Sequence, residues 1–264
     1  MKVIVAKDSE EMANFAARFT AHLIRSKEQL NLALATGNTM IGFYKALVDL
    51  YRKGNISFQD CITFNLDEYV GIPETHPASF HNYMHENFLD FVDLPDAQVY
   101  IPDGNADHIV EAAQSYEDLI KEKGGLDMVI AGIGVNGHIA FNEPGSSLAS
   151  RTRVKTLSEE TRRVNAKSFD GLVDMVPKYV ITMGVGTVMD AHFVMLLASG
   201  ASKADAIANT VEGPITAMCP ASILQMHPHA FIVVDRDAAT RLSGSYQIVA
   251  EALGDPFEEY FWGL

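Results

Sequence analysis

The sequence predicts a single α/β domain built on a Rossmann-like, mostly parallel sheet with helices on both faces. Short apolar runs alternate with helical patterns along the chain, which is typical of successive β-α-β units. No repeat, low-complexity tract or Pro/Gly/Ser-rich linker interrupts the 264 residues, so we expect one domain covering residues 1–264. Apolar residues make up 48% of the chain, which is enough to fill one core without disulfides.

Six apolar runs are the expected strands, because each is short and is bounded by Gly, Asn or Asp. They cover residues 30–35, 61–65, 128–132, 180–183, 193–198 and 231–234. A helical pattern follows the first run over residues 40–53, and another follows the fifth run. In sheets of this kind, ligands bind outside the carboxyl ends of the strands. The residues that follow the runs are therefore the candidates for a functional site.

Composition limits the classes of partner. The chain has 34 acidic and 20 basic residues, a net charge of −14, which argues against nucleic acid and anionic membranes. Residues 1–10 contain no basic, apolar leader, and no apolar run approaches the roughly 20 residues of a membrane span. Cys61 and Cys219 cannot form a disulfide framework, which fits a reducing compartment. We therefore expect a cytoplasmic protein without a membrane partner.

An anion site is indicated after the first run. Thr36, Gly37, Asn38 and Thr39 lie between this run and a helical pattern, where backbone N–H groups meet the positive end of a helix dipole. The alternative is a plain turn with Thr39 as the N-cap of the helix. Lys203 opens a helix after the fifth run, where the helix dipole disfavours a cation unless an anion pairs with it. The position of Lys203 therefore favours an anion site over a plain turn.

Acid–base residues follow two other runs. Asn136, His138 and Glu143 follow the third run and fit a unit in which an imidazole moves a proton and a carboxylate fixes its tautomer. The alternative is a histidine bonded to a loop carbonyl. Asp67, after the second run, is a candidate base for a proton on carbon. Its alternative is a helix cap, with Asp67 and Glu68 beginning the next segment.

Three further patterns have simpler interpretations. The string Gly-x-Gly-x-x-Gly at residues 132–137 matches a dinucleotide fingerprint, but neither an immediate helix nor the required acidic residue follows it. His76, His81 and His85 suggest metal ligands, yet no HExxH motif, cysteine pair or third ligand accompanies them, so we expect no metal site. Residues 151–157 form a basic, solvated strand or a second anion site.

Taken together, these residues resemble the glucosamine/galactosamine-6-phosphate isomerase family. This family includes glucosamine-6-phosphate deaminase and shares its fold with 6-phosphogluconolactonase. The likeness runs from the start of the chain to about residue 235, and residues 235–264 match poorly. The matching strings are Leu34-Ala-Thr-Gly37, Thr63-Phe-Asn-Leu-Asp-Glu-Tyr-Val-Gly71, Gly134-Val-Asn-Gly-His-Ile-Ala-Phe-Asn-Glu-Pro-Gly-Ser-Ser147 and Ser150-Arg-Thr-Arg-Val-Lys-Thr156.

The resemblance implies that the chain converts glucosamine 6-phosphate to fructose 6-phosphate and ammonia without a metal or an organic cofactor. His138, supported by Glu143 and Asn136, is expected to open the sugar ring by moving a proton between the ring oxygen and the anomeric hydroxyl. Asp67 is expected to take the C2 proton and help return one to C1, after which water hydrolyses the ketimine. Gly137 is expected to line the substrate site.

The resemblance also places the substrate phosphate on residues 36–39, with a cation at position 167 and Lys203. The chain departs from the family pattern in this region. The family usually has Arg at 167, Gly or Ser at 38 and Pro at 40, whereas this chain has Lys167, Asn38 and Met40. Lysine keeps the charge but lacks the bidentate fork of a guanidinium group, so we expect phosphate affinity to be altered.

Regulation is a further implication of the resemblance. In allosterically activated members, N-acetylglucosamine 6-phosphate binds between the subunits of a hexamer. The matching positions are all present here, namely Ser146, Ser147, Arg153, Lys155 and Thr156. The resemblance therefore implies a homo-oligomer, a hexamer, with an allosteric site near residues 151–157.

Other functions stay open at this stage. The substrate can be another 6-phosphorylated amino sugar, such as the galacto epimer, because no residue that contacts C4 is readable from the sequence. A 6-phosphogluconolactonase shares the fold and the phosphate chemistry but not the set of Asp67, His138 and Glu143. A non-catalytic sugar-phosphate sensor is the third alternative, and the acidic charge argues against a sensor that binds DNA.

Overall fold

The structure is a computed structural model that describes residues 1–248. The strands are β1 (Lys2–Ala6), β2 (Leu30–Leu34), β3 (Cys61–Asn65), β4 (Asp67–Tyr69), β5 (Val99–Tyr100), β6 (Met128–Gly132), β7 (Arg153–Thr156), β8 (Tyr179–Thr182), β9 (Phe193–Ala198), β10 (Ala230–Asp235) and β11 (Gln247–Ile248). The α-helices are α1 (Ser9–Ser26), α2 (Asn38–Arg52), α3 (Phe80–Asn87), α4 (Ile109–Glu122), α5 (Glu159–Asn165), α6 (Val185–Met189) and α7 (Ala204–Val211).

The main sheet is parallel. Within the described residues its strand order is β11-β1-β10-β9-β6-β2-β3-β5, and each neighbouring pair is parallel. Five of the six predicted runs lie in this sheet, which confirms the predicted fold class. The central strands are buried along nearly their whole length, so they read as continuous apolar runs rather than as alternating patterns.

Helices cover both faces of this sheet, as predicted. Thr20 of α1 lies 3.9 Å from the sulfur of Met128 in β6, so that side of β6 faces α1. Paired residues of neighbouring strands point to the same face of a sheet. Met128 pairs with Leu32 of β2, and Leu32 pairs with Thr63 of β3, so Thr63 also points towards the α1 face. Phe64 therefore points to the opposite side, where its ring centroid lies 6.1 Å from that of Tyr116 in α4.

The fourth predicted run lies outside the main sheet, so the expectation that it joins the parallel strands is wrong. β8 lies between β4 and β7 in a separate antiparallel sheet of order β4-β8-β7. β6 and β9 pair directly and in parallel, so residues 133–192, which include β7 and β8, form the connection between the carboxyl end of β6 and the start of β9. Val180 is buried in a second, smaller apolar cluster with Tyr69 and Phe169. An apolar run indicates burial but does not specify which sheet it joins.

Helix starts are set by local capping. α2 begins at Asn38, two residues before the predicted pattern, and its N-cap is Gly37 rather than Thr39. Three other helices have a side chain that accepts a hydrogen bond from an N–H group three residues later, a contact that stabilises a helix by about 1 kcal/mol. These caps are Asp8 for α1, Ser79 for α3 and Ser158 for α5.

None of the helices within residues 1–248 combines the length and the apolar character that crossing a bilayer requires. The prediction of one domain that continues to residue 264 extends past the described part of the chain and stays a prediction.

Candidate active site

The predicted site residues meet at one edge of the main sheet. β9, β6, β2 and β3 are neighbours in that order, and their carboxyl ends lie together because the strands are parallel. Residues 36–39 follow β2, Asp67 comes two residues after β3, His138 belongs to the turns after β6, and Lys203 follows β9. The fold thus brings the anion turn, the carboxyl group, the imidazole and the ammonium group to one place, as predicted.

The anion turn, residues 36–39, is restrained by hydrogen bonds to the carbonyl groups of Ala35, which precedes it, and Gly37. The Tyr44 hydroxyl donates to the carbonyl of Ala35 at 2.6 Å, and the Tyr83 hydroxyl donates to the carbonyl of Gly37 at 2.8 Å. Gly37 has a φ of +108°, a conformation that favours glycine. No N–H group of residues 36–39 donates to an acceptor elsewhere in residues 1–248. These N–H groups are therefore available to an anion at the positive end of α2.

Asp67 is a buried carboxyl group. It is the first residue of β4, and 6% of it is exposed. Burial, with a smaller contribution from the neighbouring Glu68 carboxylate, raises the pKa of Asp67 to about 8. It lies in a strand and caps no helix, so the capping alternative is wrong. A carboxyl group whose pKa lies near the working pH is suited to accept and return a proton.

Glu68 serves a different purpose from its neighbour, because successive residues of a strand point to opposite faces. Its carboxylate accepts hydrogen bonds from the N–H groups of Tyr69 at 2.7 Å, Phe80 at 3.1 Å and His81 at 2.9 Å. Phe80 and His81 are the first two residues of α3, whose N–H groups have no acceptor within the helix. Burial raises the pKa of Glu68, and these backbone hydrogen bonds act in the opposite direction. Glu68 therefore anchors α3 beside the candidate base.

The turn that carries His138 depends on two glycines. The imidazole packs against Gly134, and any side chain at that position would collide with it. Gly137 has a φ of +83°, and a side chain there would collide with Cys219. The side-chain oxygen of Asn136 accepts the backbone N–H of His138 at 3.3 Å. Asn136 therefore supports the turn, and its contact is with the backbone of His138 rather than with the ring.

His138 and Glu143 interact electrostatically. Burial lowers the pKa of His138, the Glu143 carboxylate raises it, and the Lys203 ammonium lowers it. The Nδ1 atom of His138 is buried and has no hydrogen-bond partner within residues 1–248. Glu143 instead accepts hydrogen bonds from the hydroxyls of Ser158, at 3.0 Å, and Thr161, both at the start of α5. The predicted orientation of the imidazole by Glu143 thus stays a prediction.

The two predicted cations lie in different surroundings. Lys203 ends a short 3₁₀ turn that begins after Gly200, whose N–H donates to both carboxylate oxygens of Asp235 at 3.0 Å. Burial lowers the pKa of Lys203, and its charge acts on His138. Lys167 lies in the 3₁₀ turn after α5 and is exposed. The structure therefore brings Lys203 to the site and leaves Lys167 at the surface.

Three predicted regulatory residues lie on the edge of the small sheet. β7 is an edge strand and carries Arg153, Lys155 and Thr156. Thr182 of β8 pairs with Arg153 on one side and with Asp67 on the other. A single strand, β8, thus separates β7 from the candidate base.

The other two predicted regulatory residues precede β7. Ser146 is 4% exposed, and its hydroxyl has no hydrogen-bond partner in the described chain, whereas Ser147 is exposed. Between these serines and β7, the hydroxyl of Thr152 donates to the buried carboxylate of Glu117 in α4 at 2.7 Å. The Thr187 hydroxyl donates to the same carboxylate at 2.8 Å. This network fixes the start of β7 against α4.

Within residues 1–248, no three His, Cys, Asp or Glu side chains converge to hold a metal ion. His81 lies 3.8 Å from Glu74, and His85 lies 2.8 Å from Asp90. The Gly-x-Gly-x-x-Gly string at residues 132–137 continues into turns rather than into a helix, so it lacks the helix N-terminus that a dinucleotide needs.

The sequence analysis did not predict several residues that support the site. Tyr44 and Tyr83 gave no signal, because each hydroxyl bonds to a backbone carbonyl that only the fold brings near. Ser158 and Thr161 did carry one, since a serine before two glutamates is a typical start of a helix. The role of Glu68 as an anchor for α3 depends on a contact twelve residues away.

Comparisons with known proteins identify the family of the chain. The sequence profile described as "Glucosamine-6-phosphate isomerases/6-phosphogluconolactonase" matches residues 6–233. The glucosamine-6-phosphate deaminase of Hahella chejuensis is 48% identical over 242 residues, which are 92% of each chain. The glucosamine-6-phosphate deaminase 2 of Bacillus subtilis is 44% identical and covers 93% of this chain and 99% of its own.

Solved structures give the same result. A protein described as a monomeric glucosamine-6-phosphate deaminase superposes with a TM-score of 0.89 at 43% identity, covering 91% of this chain and all of its own. The 6-phosphogluconolactonase of Trypanosoma cruzi superposes with a TM-score of 0.72 at 22% identity, over 92% of this chain and 97% of its own, which shows a shared fold. The chain therefore belongs to the family of glucosamine-6-phosphate isomerases and 6-phosphogluconolactonases.

Proposed function

We propose that this chain converts glucosamine 6-phosphate and water to fructose 6-phosphate and ammonia. One observation carries the proposal: Asp67, a buried carboxyl group with a raised pKa, lies at the same sheet edge as an anion turn and an imidazole. Relatives named glucosamine-6-phosphate deaminase, at 43–48% identity over more than nine tenths of the chain, support the same activity.

Substrate binding begins with the phosphate. Its oxygens accept hydrogen bonds from the N–H groups of residues 36–39, at the positive end of α2, and pair with the ammonium of Lys203. Lys167 adds a second cation when the segment after α5 approaches the ligand. An ammonium group on the flexible stem of Lys167 contributes charge without fixing the orientation of the phosphate.

Ring opening is assigned to His138. Because the pKa of His138 is lowered, its imidazole is neutral near pH 7 and has one N–H group and one free nitrogen. It takes the proton of the anomeric hydroxyl and gives one to the ring oxygen, so the C1–O5 bond breaks and an aldehyde forms. The charge of Glu143 stabilises the imidazolium that exists between these transfers. Asn136 and Gly137 hold the turn that positions His138.

Asp67 carries the isomerisation. As a carboxylate it removes the C2 proton of the open-chain aldehyde, which gives an enolamine, and the proton then goes to C1. The substrate's ammonium group favours the ionised form of Asp67, because a nearby positive charge lowers a carboxyl pKa. Water then adds to C2 of the resulting ketimine, the C2–N bond breaks, and ammonia and fructose 6-phosphate leave.

Regulation and assembly form a second part of the proposal. We assign N-acetylglucosamine 6-phosphate to Ser146, Ser147, Arg153, Lys155 and Thr156, at an interface between subunits of a homo-oligomer. The buried hydroxyl of Ser146, which has no hydrogen-bond partner within residues 1–248, and the half-buried guanidinium of Arg153 on an edge strand support this assignment. The solved relative at 43% identity is described as monomeric, whereas the resemblance implies a hexamer. Measuring the molecular mass of the protein in solution distinguishes the two. A monomer at micromolar concentration would remove the site between subunits.

The deciding experiment measures steady-state ammonia release from glucosamine 6-phosphate and from its galacto epimer, with and without N-acetylglucosamine 6-phosphate. We expect turnover of the gluco epimer. Activity on neither epimer would overturn the proposal, and hydrolysis of 6-phosphogluconolactone in a parallel assay would assign the site to the other branch of the family. The cytoplasmic location stays a prediction from composition.

A further inference from the structure

Helix α3 contacts two parts of the site that are distant in sequence. Its first two N–H groups, those of Phe80 and His81, donate to the carboxylate of Glu68, which directly follows Asp67. One turn further along, Tyr83 of the same helix donates to the carbonyl of Gly37 in the anion turn. A single eight-residue helix therefore contacts both the strand of the candidate base and the turn assigned to phosphate.

The contact to Gly37 controls the direction of a neighbouring N–H group. The carbonyl of Gly37 and the N–H of Asn38 belong to one planar peptide unit and point in opposite directions. Two donors fix this carbonyl, the Tyr83 hydroxyl at 2.8 Å and the Met40 N–H at 2.9 Å. Fixing the carbonyl therefore fixes the N–H of Asn38. At a φ of +108°, Gly37 itself imposes little restraint on this peptide, so an external restraint is needed.

Tyr83 is well placed to act as this restraint. Its ring is half-buried and lies 6.3 Å from the ring of Tyr44, centroid to centroid, in an edge-on arrangement. Burial raises the pKa of Tyr83, so its hydroxyl stays protonated and donates across the neutral range. Tyr44 holds the preceding carbonyl, that of Ala35, in the same way and thereby directs the N–H of Thr36.

We propose that Tyr83 is a positioning residue for phosphate recognition, and that α3, anchored by Glu68, sets the distance between the anion turn and Asp67. The inference rests on the proposed function for its substrate, but the restraint itself acts on any phosphate-like anion. Tyr83 acts on binding, through the N–H of Asn38, whereas Glu68 acts on the base, through its charge and its hold on α3.

The first test is Tyr83→Phe, which removes only the hydroxyl and keeps the ring packing. A neutral hydrogen bond that orients a binding group is worth about a two- to tenfold change in affinity. We expect the Kd for inorganic phosphate, measured by calorimetry, and the KM for glucosamine 6-phosphate to rise together by that factor. We expect kcat to stay within about twofold, since the reacting atoms lie elsewhere.

The matched control is Tyr246→Phe. Tyr246 also donates its hydroxyl to an oxygen, a carboxylate oxygen of Glu212 at 2.5 Å, but on the exposed end of α7. It should change neither the phosphate Kd nor KM. An equal loss in this variant, or a Tyr83→Phe variant with wild-type phosphate Kd and KM, would overturn the proposal. A fall in kcat at constant KM would also overturn it.

The second test is Glu68→Gln, which removes the charge, keeps one oxygen as an acceptor and replaces the other with an NH2 group. The acid limb of kcat/KM should move to lower pH, because the like charge beside Asp67 is gone. An unshifted limb would remove Glu68 from the proposal. If Glu68→Gln does not fold, Tyr83→Phe decides alone. If the wild-type chain releases no ammonia, the proposed function fails, but the phosphate Kd of Tyr83→Phe still tests the restraint.

Discussion

The two sides of the site are held in contrasting ways. On one side, Asp67 is buried at the start of β4, two residues after β3 of the main sheet, and the anion turn is restrained by hydroxyls of two tyrosines. On the opposite side, Glu143 is held by the first turn of α5, a seven-residue helix. Val164 of that helix is 60% exposed, and Lys167 follows it at the surface. Short, exposed helices open at low free-energy cost, whereas buried strands open only with the whole domain.

This contrast suggests that the two sides of the site contribute to different steps of the reaction. In the proposed mechanism, the side that holds Asp67, the anion turn and Lys203, which we call the fixed side, carries proton transfer on carbon and the first capture of the anion. We expect the α5 side to supply groups that adjust to the ligand. Substitutions on the fixed side should therefore change turnover or stability of the whole domain, and substitutions on the α5 side should have smaller and more local effects.

The largest effect is expected for Asp67→Asn. The variant lacks the base that removes the C2 proton, so kcat for ammonia release should fall by about 10²- to 10⁴-fold. The phosphate Kd should stay within about twofold, because the anion turn is unchanged. Residual activity near the wild-type level would show that another group is the base.

The same variant should be more stable than the wild-type protein at neutral pH. The folded-state pKa of Asp67, about 8, lies above the ordinary value of 3.8, so its favourable contribution is complete below pH 3.8 and is lost as pH rises towards 8. At pH 7 this loss is at most about 4 kcal/mol, since each pH unit is worth about 1.4 kcal/mol. Urea unfolding at pH 4 and pH 7.5 should show a gain for Asp67→Asn only at the higher pH. A gain of equal size at both values would contradict the raised pKa.

Two lysine variants compare the sides directly. Lys203→Ala should weaken binding of inorganic phosphate by about tenfold or more, because it removes a charged donor from the fixed side. Lys167→Ala should weaken it less than about threefold, since an exposed ammonium contributes little to the affinity for a small anion. Calorimetric titration with phosphate measures both. Equal losses would mean that the segment after α5 closes on phosphate alone.

The smallest effects are expected for two helix caps of the same type. Ser79→Ala removes the cap of α3, and Ser158→Ala removes that of α5, each at a cost of about 1 kcal/mol. Ser79 is buried, so its loss should lower the free energy of global unfolding in urea. The loss of Ser158 should instead speed hydrogen exchange within α5 and leave the global value nearly unchanged. If the two variants behave alike, the contrast between the sides is wrong.

The parallel sheet and the edge at which the candidate site residues meet could be predicted from the sequence, because both follow from buried strands and from the residues at their ends. The runs at β2, β3, β6 and β9 gave the sheet edge, and the polar residues after them gave Asp67, His138 and Lys203. The small sheet was not readable, since the apolarity of β8 reports burial in a second cluster and not antiparallel pairing.

The supporting contacts were less predictable for a different reason. Tyr83 and Glu68 act through backbone groups far away in sequence, and backbone groups are the same at every residue. No pattern of side chains distinguishes a tyrosine that holds a carbonyl from one that only packs. Glu143 shows the same limit, because its partners in α5 are hydroxyls rather than the imidazole five residues before it.

The contact between Gly137 and Cys219 allows opening of the His138 turn to be followed through the reactivity of the Cys219 thiol. The sulfur of Cys219 lies where a side chain at Gly137 would be, and the thiol is buried beneath the His138 turn. A thiol reagent can reach a buried sulfur only after the residues that cover it move, so the labelling rate reports how often this region opens. Cys61 lies in β3 and is also buried, which supplies an internal reference within the same chain. Ligands that close the turn should slow modification of Cys219 and leave that of Cys61 unchanged.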